Sequence, residues 1–97
     1  MIRHIALLTF VDGATAEQIR AVEDALSTLP ARLAVLQSYA IGPDLRLADG
    51  NAAFAVTADF ATVDDYVVYR DDPEHRRIIT ELIAPILAGR STAQYEI

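Results

Sequence analysis

The first ten residues constrain the fold more than any other stretch of the chain. In MIRHIALLTF and the residue after it, positions 2 to 11 alternate with period two. His4, Ala6, Leu8 and Phe10 therefore share one face of an extended segment, and Ile5, Leu7 and Val11 share the other. Both faces are largely apolar, a pattern that belongs to a central strand covered on both sides. The segment lacks a small-residue cleavage site and turns polar at Asp12 and Gly13, so it reads as a strand and not as a signal peptide.

After that turn, Thr15 and Gln18 form a capping-box signature for a helix over 16 to 29. Ile19, Val22, Leu26 and Leu29 fall on its buried stripe, while Glu17, Arg20, Glu23 and Asp24 make a solvated face. Pro30 closes the helix, and residues 35 to 41 read as a second strand ended by Gly42-Pro43. Residues 42 to 51 form the one loop of any length, with a tight turn at Asp49-Gly50. AAFAVTADF is a third strand with Phe54, Val56, Ala58 and Phe60 on one face.

Thr62 caps a short helix holding Val63, Tyr66, Val67 and Tyr69. Asp72-Pro73 restarts the helical pattern, with Asp as N-cap and Pro at the tolerated first position. Ile78, Ile79, Leu82, Ile83 and Ile86 supply its apolar stripe. Pro85 has no N–H for the carbonyl of Glu81, which predicts a kink or break near residue 84. Gly89 is expected to end the helix and 90 to 97 to form the last strand.

The order is βαββα(α)β, an α+β arrangement in one domain over residues 1 to 97, and 53% hydrophobic residues suffice for a core. Helices can cover only one face of the sheet, which leaves Ile5, Leu7 and Val11 bare in a monomer. A second copy of the chain is the simplest cover, giving a homodimer through the sheet face with a barrel-like core.

Composition removes several functions. Without cysteine there is no thiolate nucleophile, zinc-thiolate site or iron–sulfur cluster, and the cytoplasm is the expected compartment. Net charge is -6 and all eight basic residues are scattered arginines, so there is no positive stripe for nucleic acid. The same acidity favours a basic or neutral ligand over a polyanion. No apolar stretch approaches the roughly 20 residues that span a membrane. Asp64, Asp65, Asp71, Asp72 and Glu74 read as helix caps rather than metal ligands, and no nucleotide-binding or hydrolase motif occurs, so neither metal nor cofactor is expected.

Several pieces in this order carry a family resemblance: IRHIALLTF with His4, the Gly42-Pro43 turn, and Tyr69 followed by Pro73 and His75. Across nearly its whole length the chain resembles the stress-responsive dimeric α/β-barrel (Dabb) family. The resemblance implies a ferredoxin-like βαββαβ fold with an antiparallel four-stranded sheet that dimerises through its sheets. Members range from proteins without a known reaction to plant polyketide cyclases that close a ring by intramolecular aldol chemistry. By this likeness an acid/base pair falls on His4 and His75, assisted by Tyr69. Asp72 stands where many relatives have a further histidine, and Leu26 where a cyclase can use a polar aromatic group.

The residues themselves carry the same chemistry. His4 shares its face with apolar neighbours, and burial there favours a neutral ring with one donor and one acceptor nitrogen, the state a general base needs. A core histidine satisfied by one partner is the structural alternative. At His75, the helix N-terminus opposes a positive ring while Asp71, Asp72 and Glu74 favour it. A capping role is its alternative, and packing is that of Tyr69. If both rings meet one cavity walled by Ala6, Leu8, Leu26, Phe54 and Val56, one can take a proton while the other donates with Tyr69. Two functions follow: a cofactor-free cyclase, isomerase or lyase acting on a small carbonyl compound, or a non-catalytic, stress-related dimer that binds an apolar ligand.

Overall fold

The computed structural model describes residues 1 to 97. The elements are β1 (Ile2–Phe10), α1 (Ala16–Leu26), a single turn α2 (Leu29–Arg32), β2 (Ser38–Pro43), β3 (Phe54–Phe60), α3 (Val63–Asp71), α4 (Pro73–Ile78) and β4 (Leu87–Glu96). The strands form one antiparallel sheet in the order β2-β3-β1-β4. This is the ferredoxin-like arrangement, with β1 at the centre as its two-sided apolar pattern requires.

Every helix lies on one face of the sheet, because only there do strand and helix stripes meet. Ala6 and Leu8 of β1 join Phe54, Val56, Ala58 and Phe60 of β3 in the core. Val22 and Leu26 of α1, Tyr69 of α3 and Ile78 of α4 close over them. The capping box at Thr15 and Gln18 is formed in both directions, at 3.1 and 2.8 Å.

Element ends differ from the sequence expectation in several places. Helix α1 stops at Leu26, where the Ser27 and Thr28 hydroxyls donate back to the Glu23 and Ala25 carbonyls. Pro30 therefore does not close α1; it occupies the first turn of α2, where its missing N–H costs nothing. The second strand begins at Ser38 rather than 35 and carries Gly42 and Pro43 within it. Pro43 is tolerated because β2 is an edge strand. The third strand starts at Phe54, not 52.

The break at Pro85 takes a particular form. Helix α4 widens into a π turn over Ile79–Ile83, with the Ala84 N–H bonded to the Ile79 carbonyl five residues back, and then tightens to a 3-10 turn at Ala84–Ile86. The chain is extended from Leu87, so Gly89 lies inside β4 instead of ending a helix. It sits opposite Thr9, where the β1–β4 register shifts.

The other sheet face has no helix. Ile5 and Leu7 project there from β1, with Leu7 40% exposed. Their cross-strand neighbours are small: Thr57 and Ala55 on β3, Ala93 and Ser91 on β4. Val11, just past the strand, is also exposed. No helix is long and apolar enough to cross a membrane.

One end of this open face is polar. Arg3 donates through Nε and Nη2 to the two carboxylate oxygens of Asp59 at 2.8 and 2.9 Å, and the Ser38 hydroxyl donates to the same carboxylate at 2.6 Å. These donors hold the buried Asp59 carboxyl down at about 2, with Arg3 the larger cause and Ser38 the next. Because the native value is depressed, the stabilisation is complete above the ordinary 3.8 and is lost as pH falls towards 2. Arg3 is partly exposed, so the pair itself is screened; the larger cost lies in leaving the carboxylate short of donors. Arg3→Met is expected to lower the midpoint of urea unfolding at pH 7. It should also reduce the loss of stability between pH 4 and pH 2.

Candidate functional site

A cavity of about 210 Å³ opens between β1, the helical layer and β4. Ala6, the smallest of the β1 side chains on that face, leaves room between the helical residues and Thr92 and Gln94 of β4. Ala6, Leu8, Leu26 and Val56 lie on its wall, together with His4, His75 and Tyr69. Phe54 does not line it. That ring is 1% exposed and packs against Phe10 at 6.4 Å between centroids, so it belongs to the core beneath.

His4 is placed by β1, opposite Ala58 on β3 and Gln94 on β4. Gln94 reaches across the strand pair so that Nε2 of its amide lies 2.9 Å from Nδ1 of His4. With the amide donating, Nδ1 is the acceptor and the ring proton sits on Nε2. The ring leans on Tyr66 and Tyr69, at 5.3 and 5.9 Å between centroids. Burial lowers its proton affinity below the ordinary 6.5, and the charges of His75 and Arg90 lower it further.

His75 is placed by the start of α4. Asp72 caps that helix by accepting the His75 backbone N–H at 2.9 Å. The capping carboxylate is turned away from the cavity and held by Arg32, at 3.1 and 3.3 Å. Asp72 thus serves as a structural pivot. The imidazole is buried and stacks on Tyr69 at 4.2 Å. Its Nδ1 lies 3.2 Å from the Arg70 carbonyl, which can only accept, so Nδ1 carries the proton and Nε2 is left with a lone pair. Burial outweighs the Arg70 carbonyl and Asp72, and the ring titrates below 6.5. The competition between helix end and carboxylates is thus decided by desolvation.

Tyr69 stands between the two imidazoles, with its hydroxyl 3.3 Å from that of Tyr39. Burial raises the Tyr69 phenol far above its usual value, and the neighbouring Tyr39 raises it further. No fully buried polar side-chain atom lacks a partner. The Nε2 atoms of His4 and His75 make no hydrogen bond within the chain, so neither is fully buried, and both residues line the cavity. With the Gln94 amide donating, the first offers a proton and the second a lone pair.

Both rings are lowered, which fixes a pH response. The unfolded chain takes up protons near 6.5 and the folded chain only below that, so acid favours unfolding. Folding free energy is expected to be complete above pH 6.5 and to fall from there towards the native values. Urea midpoints at pH 7.5 and 5.5 check this, and His4→Gln or His75→Gln should flatten the slope.

Sequence reading did not find Gln94, Thr92, Arg90, Tyr66, Arg70 or Arg76, all of which reach the cavity. The signal for the first three was the period-two polar series on β4, opposite His4, Ala6 and Leu8. No group of three His, Asp or Glu side chains gathers as a metal site would.

Comparisons with known proteins agree on the fold. The family model described as the stress responsive A/B barrel domain (Dabb) matches residues 2 to 97. No curated protein matches the sequence. Among solved structures, a dimeric ferredoxin-like protein of unknown function from Thermobifida fusca is 46% identical. It superposes with a TM-score of 0.91, covering 99% of this chain and 90% of that one. A second dimeric ferredoxin-like protein, from Bacteroides fragilis, is 23% identical with a TM-score of 0.83, covering 99% and 95%. The hydroxynitrile lyase of Passiflora edulis is 18% identical with a TM-score of 0.84, covering 99% and 92%. At that identity the likeness is one of fold.

Proposed function

The chain belongs to the stress responsive A/B barrel domain family, and on that premise we propose that it is a homodimeric, cofactor-free acid/base catalyst. Its substrate is a small carbonyl compound with an apolar body, held beside His4 and His75. One observation carries the reading: two buried imidazoles line one cavity, each with Nδ1 engaged by the fold, by Gln94 and by the Arg70 carbonyl, and each with its proton affinity lowered by burial.

In this reading Nε2 of His75 takes the proton from the carbon next to the carbonyl. The C–H bonding pair moves into the enolate, whose oxygen accepts a hydrogen bond from Nε2–H of His4. A neutral imidazole suffices as such a donor, and its lowered proton affinity keeps it neutral at pH 7. Return of the proton at another carbon is an isomerisation, attack of the enolate on a second carbonyl is a cyclisation, and expulsion of a leaving group is a lyase reaction. That a hydroxynitrile lyase shares the fold supports placing proton chemistry on such a scaffold. Dimerisation is supported by the exposed apolar sheet face and by the dimeric relative from Thermobifida fusca.

A non-catalytic dimer that binds an apolar ligand is the competing reading, and it is favoured by Tyr69, whose hydroxyl is engaged by Tyr39 instead of being free to donate. Exchange of α-protons in D₂O, followed by NMR on cyclohexanone as a generic probe, separates the two. Saturable exchange above the buffer rate is expected at pH 7. Binding that shifts the histidine resonances without exchange would leave the ligand-binding dimer.

A further inference from the structure

The charge inside the cavity is opposite to that of the chain. Fourteen acidic residues give the protein its net charge of -6, yet none lines the cavity. Three arginines do: Arg70, Arg76 and Arg90. Arg70 is already paired with Asp71, at 2.9 and 3.1 Å. Arg76 and Arg90 make no ion pair, since the side-chain pairs of this protein use Arg3, Arg32, Arg70 and Arg77. Both are exposed residues that line the cavity, and two unpaired guanidiniums on one cavity with no carboxylate in its wall favour an anion there.

Their positions agree with this. Arg90 lies opposite Leu8 in the β1–β4 register, on the cavity side of β4 with Thr92 and Gln94. Arg76 follows His75 at the start of α4. Each is close enough to one histidine to lower its proton affinity, Arg90 for His4 and Arg76 for His75. Each histidine of the cavity thus has one of these arginines near it. Leu8, Leu26, Ile79 and Ile83 supply an apolar wall.

We propose that this cavity takes an amphipathic monocarboxylate, its apolar body against Leu8, Leu26, Ile79 and Ile83 and its carboxylate on the guanidiniums of Arg76 and Arg90. The inference rests on the cavity being the substrate site, and it narrows the substrate class to an enolisable oxo acid. A guanidinium matches a carboxylate with two parallel hydrogen bonds. A cavity of about 210 Å³ has room for a short acid. The acidic exterior disfavours a polyanion as well. Binding an anion beside His4 and His75 also offsets the two guanidinium charges that depress them.

Titration of the wild-type protein with sodium hexanoate and with hexanamide, by calorimetry and histidine-detected NMR at low salt, tests this. Hexanoate is expected to bind about tenfold or more tightly than its neutral amide, and the ratio should shrink in 0.5 M NaCl. Arg76→Gln and Arg90→Gln should each reduce the ratio towards one, with circular dichroism confirming the fold. Equal binding of acid and amide by the wild type would overturn the carboxylate assignment while leaving the cavity as a ligand site. A preference for hexanoate that persists in the double variant would also overturn it. Failure of both compounds to bind would overturn it together with the cavity reading.

Discussion

Replacing His75 with alanine is expected to lower the rate of α-proton exchange by about 10²–10⁴-fold while leaving a folded protein. The size follows from what the side chain supplies. Its Nδ1 is fixed by the Arg70 carbonyl and its ring is stacked on Tyr69, so Nε2 is held at one place in the cavity. No carboxylate lines the cavity to act in its stead. The cap on α4 uses the backbone N–H of residue 75, which alanine retains, so the helix start survives. His75→Gln fills the space without a comparable base and separates lost packing from lost chemistry. The acid limb of the wild-type rate profile is expected below 6.5, because burial lowers both histidines. An unchanged rate in His75→Ala would remove this residue from the mechanism. A fall of about 10²–10³ in His4→Ala, with the base intact, is what loss of one donor to the developing oxyanion predicts.

The architecture was legible because its strongest signals are local and periodic. The alternation in β1, the Thr15 capping box, the Asp72-Pro73 helix start and the missing N–H of Pro85 each act within a few residues. Each has its expected structural consequence. Element ends were less legible where two local rules compete. Pro30 signals a stop and a helix start equally well, and the chain uses the second. Gly89 reads as a helix end, but Pro85 has already ended the helix and the glycine relaxes a register shift instead.

The site divides in the same way. His4, Leu8 and Leu26 stand out as residues on the buried stripes of their own elements, whereas Gln94 matters only because β4 pairs with β1 in one register. That pairing joins positions 90 residues apart, and no local pattern encodes it. Net charge does not describe the cavity, for a related reason. A net charge of -6 is a sum over the whole surface, while the cavity is lined by three arginines and no acid because the carboxylates are spent on helix starts, on the Arg3 and Arg32 pairs and on the solvated faces. Phe54 shows the converse error. Its periodicity puts it on the correct face, but position along the strand decides whether a side chain on that face meets the cavity or the packed core, and Phe54 meets Phe10.

Leu7→Glu is expected to convert a dimer at micromolar concentration into a folded monomer of 10.6 kDa. Leu7 lies near the middle of β1 on the helix-free face, flanked by Ala55 and Ser91, so a second sheet could approach closely around it. In the free chain the residue is 40% exposed, so a glutamate there keeps its water and costs the monomer little. In a two-fold dimer the same change buries two carboxylates, one per subunit, and Arg3, the arginine of β1 on that face, is committed to Asp59. Several kcal/mol of desolvation per carboxylate, at 1.4 kcal/mol per decade, weakens association by at least about 10³-fold. Val63→Glu is the control: Val63 is 60% exposed on α3, on the helical side, and its change should leave the dimer intact. Sedimentation velocity reads both. A wild-type monomer at 10 µM would remove the dimer, whereas a Leu7→Glu dimer would move the interface off this face. The second result would leave the α1–α4 cavity untouched, because every group argued to act in it comes from one chain.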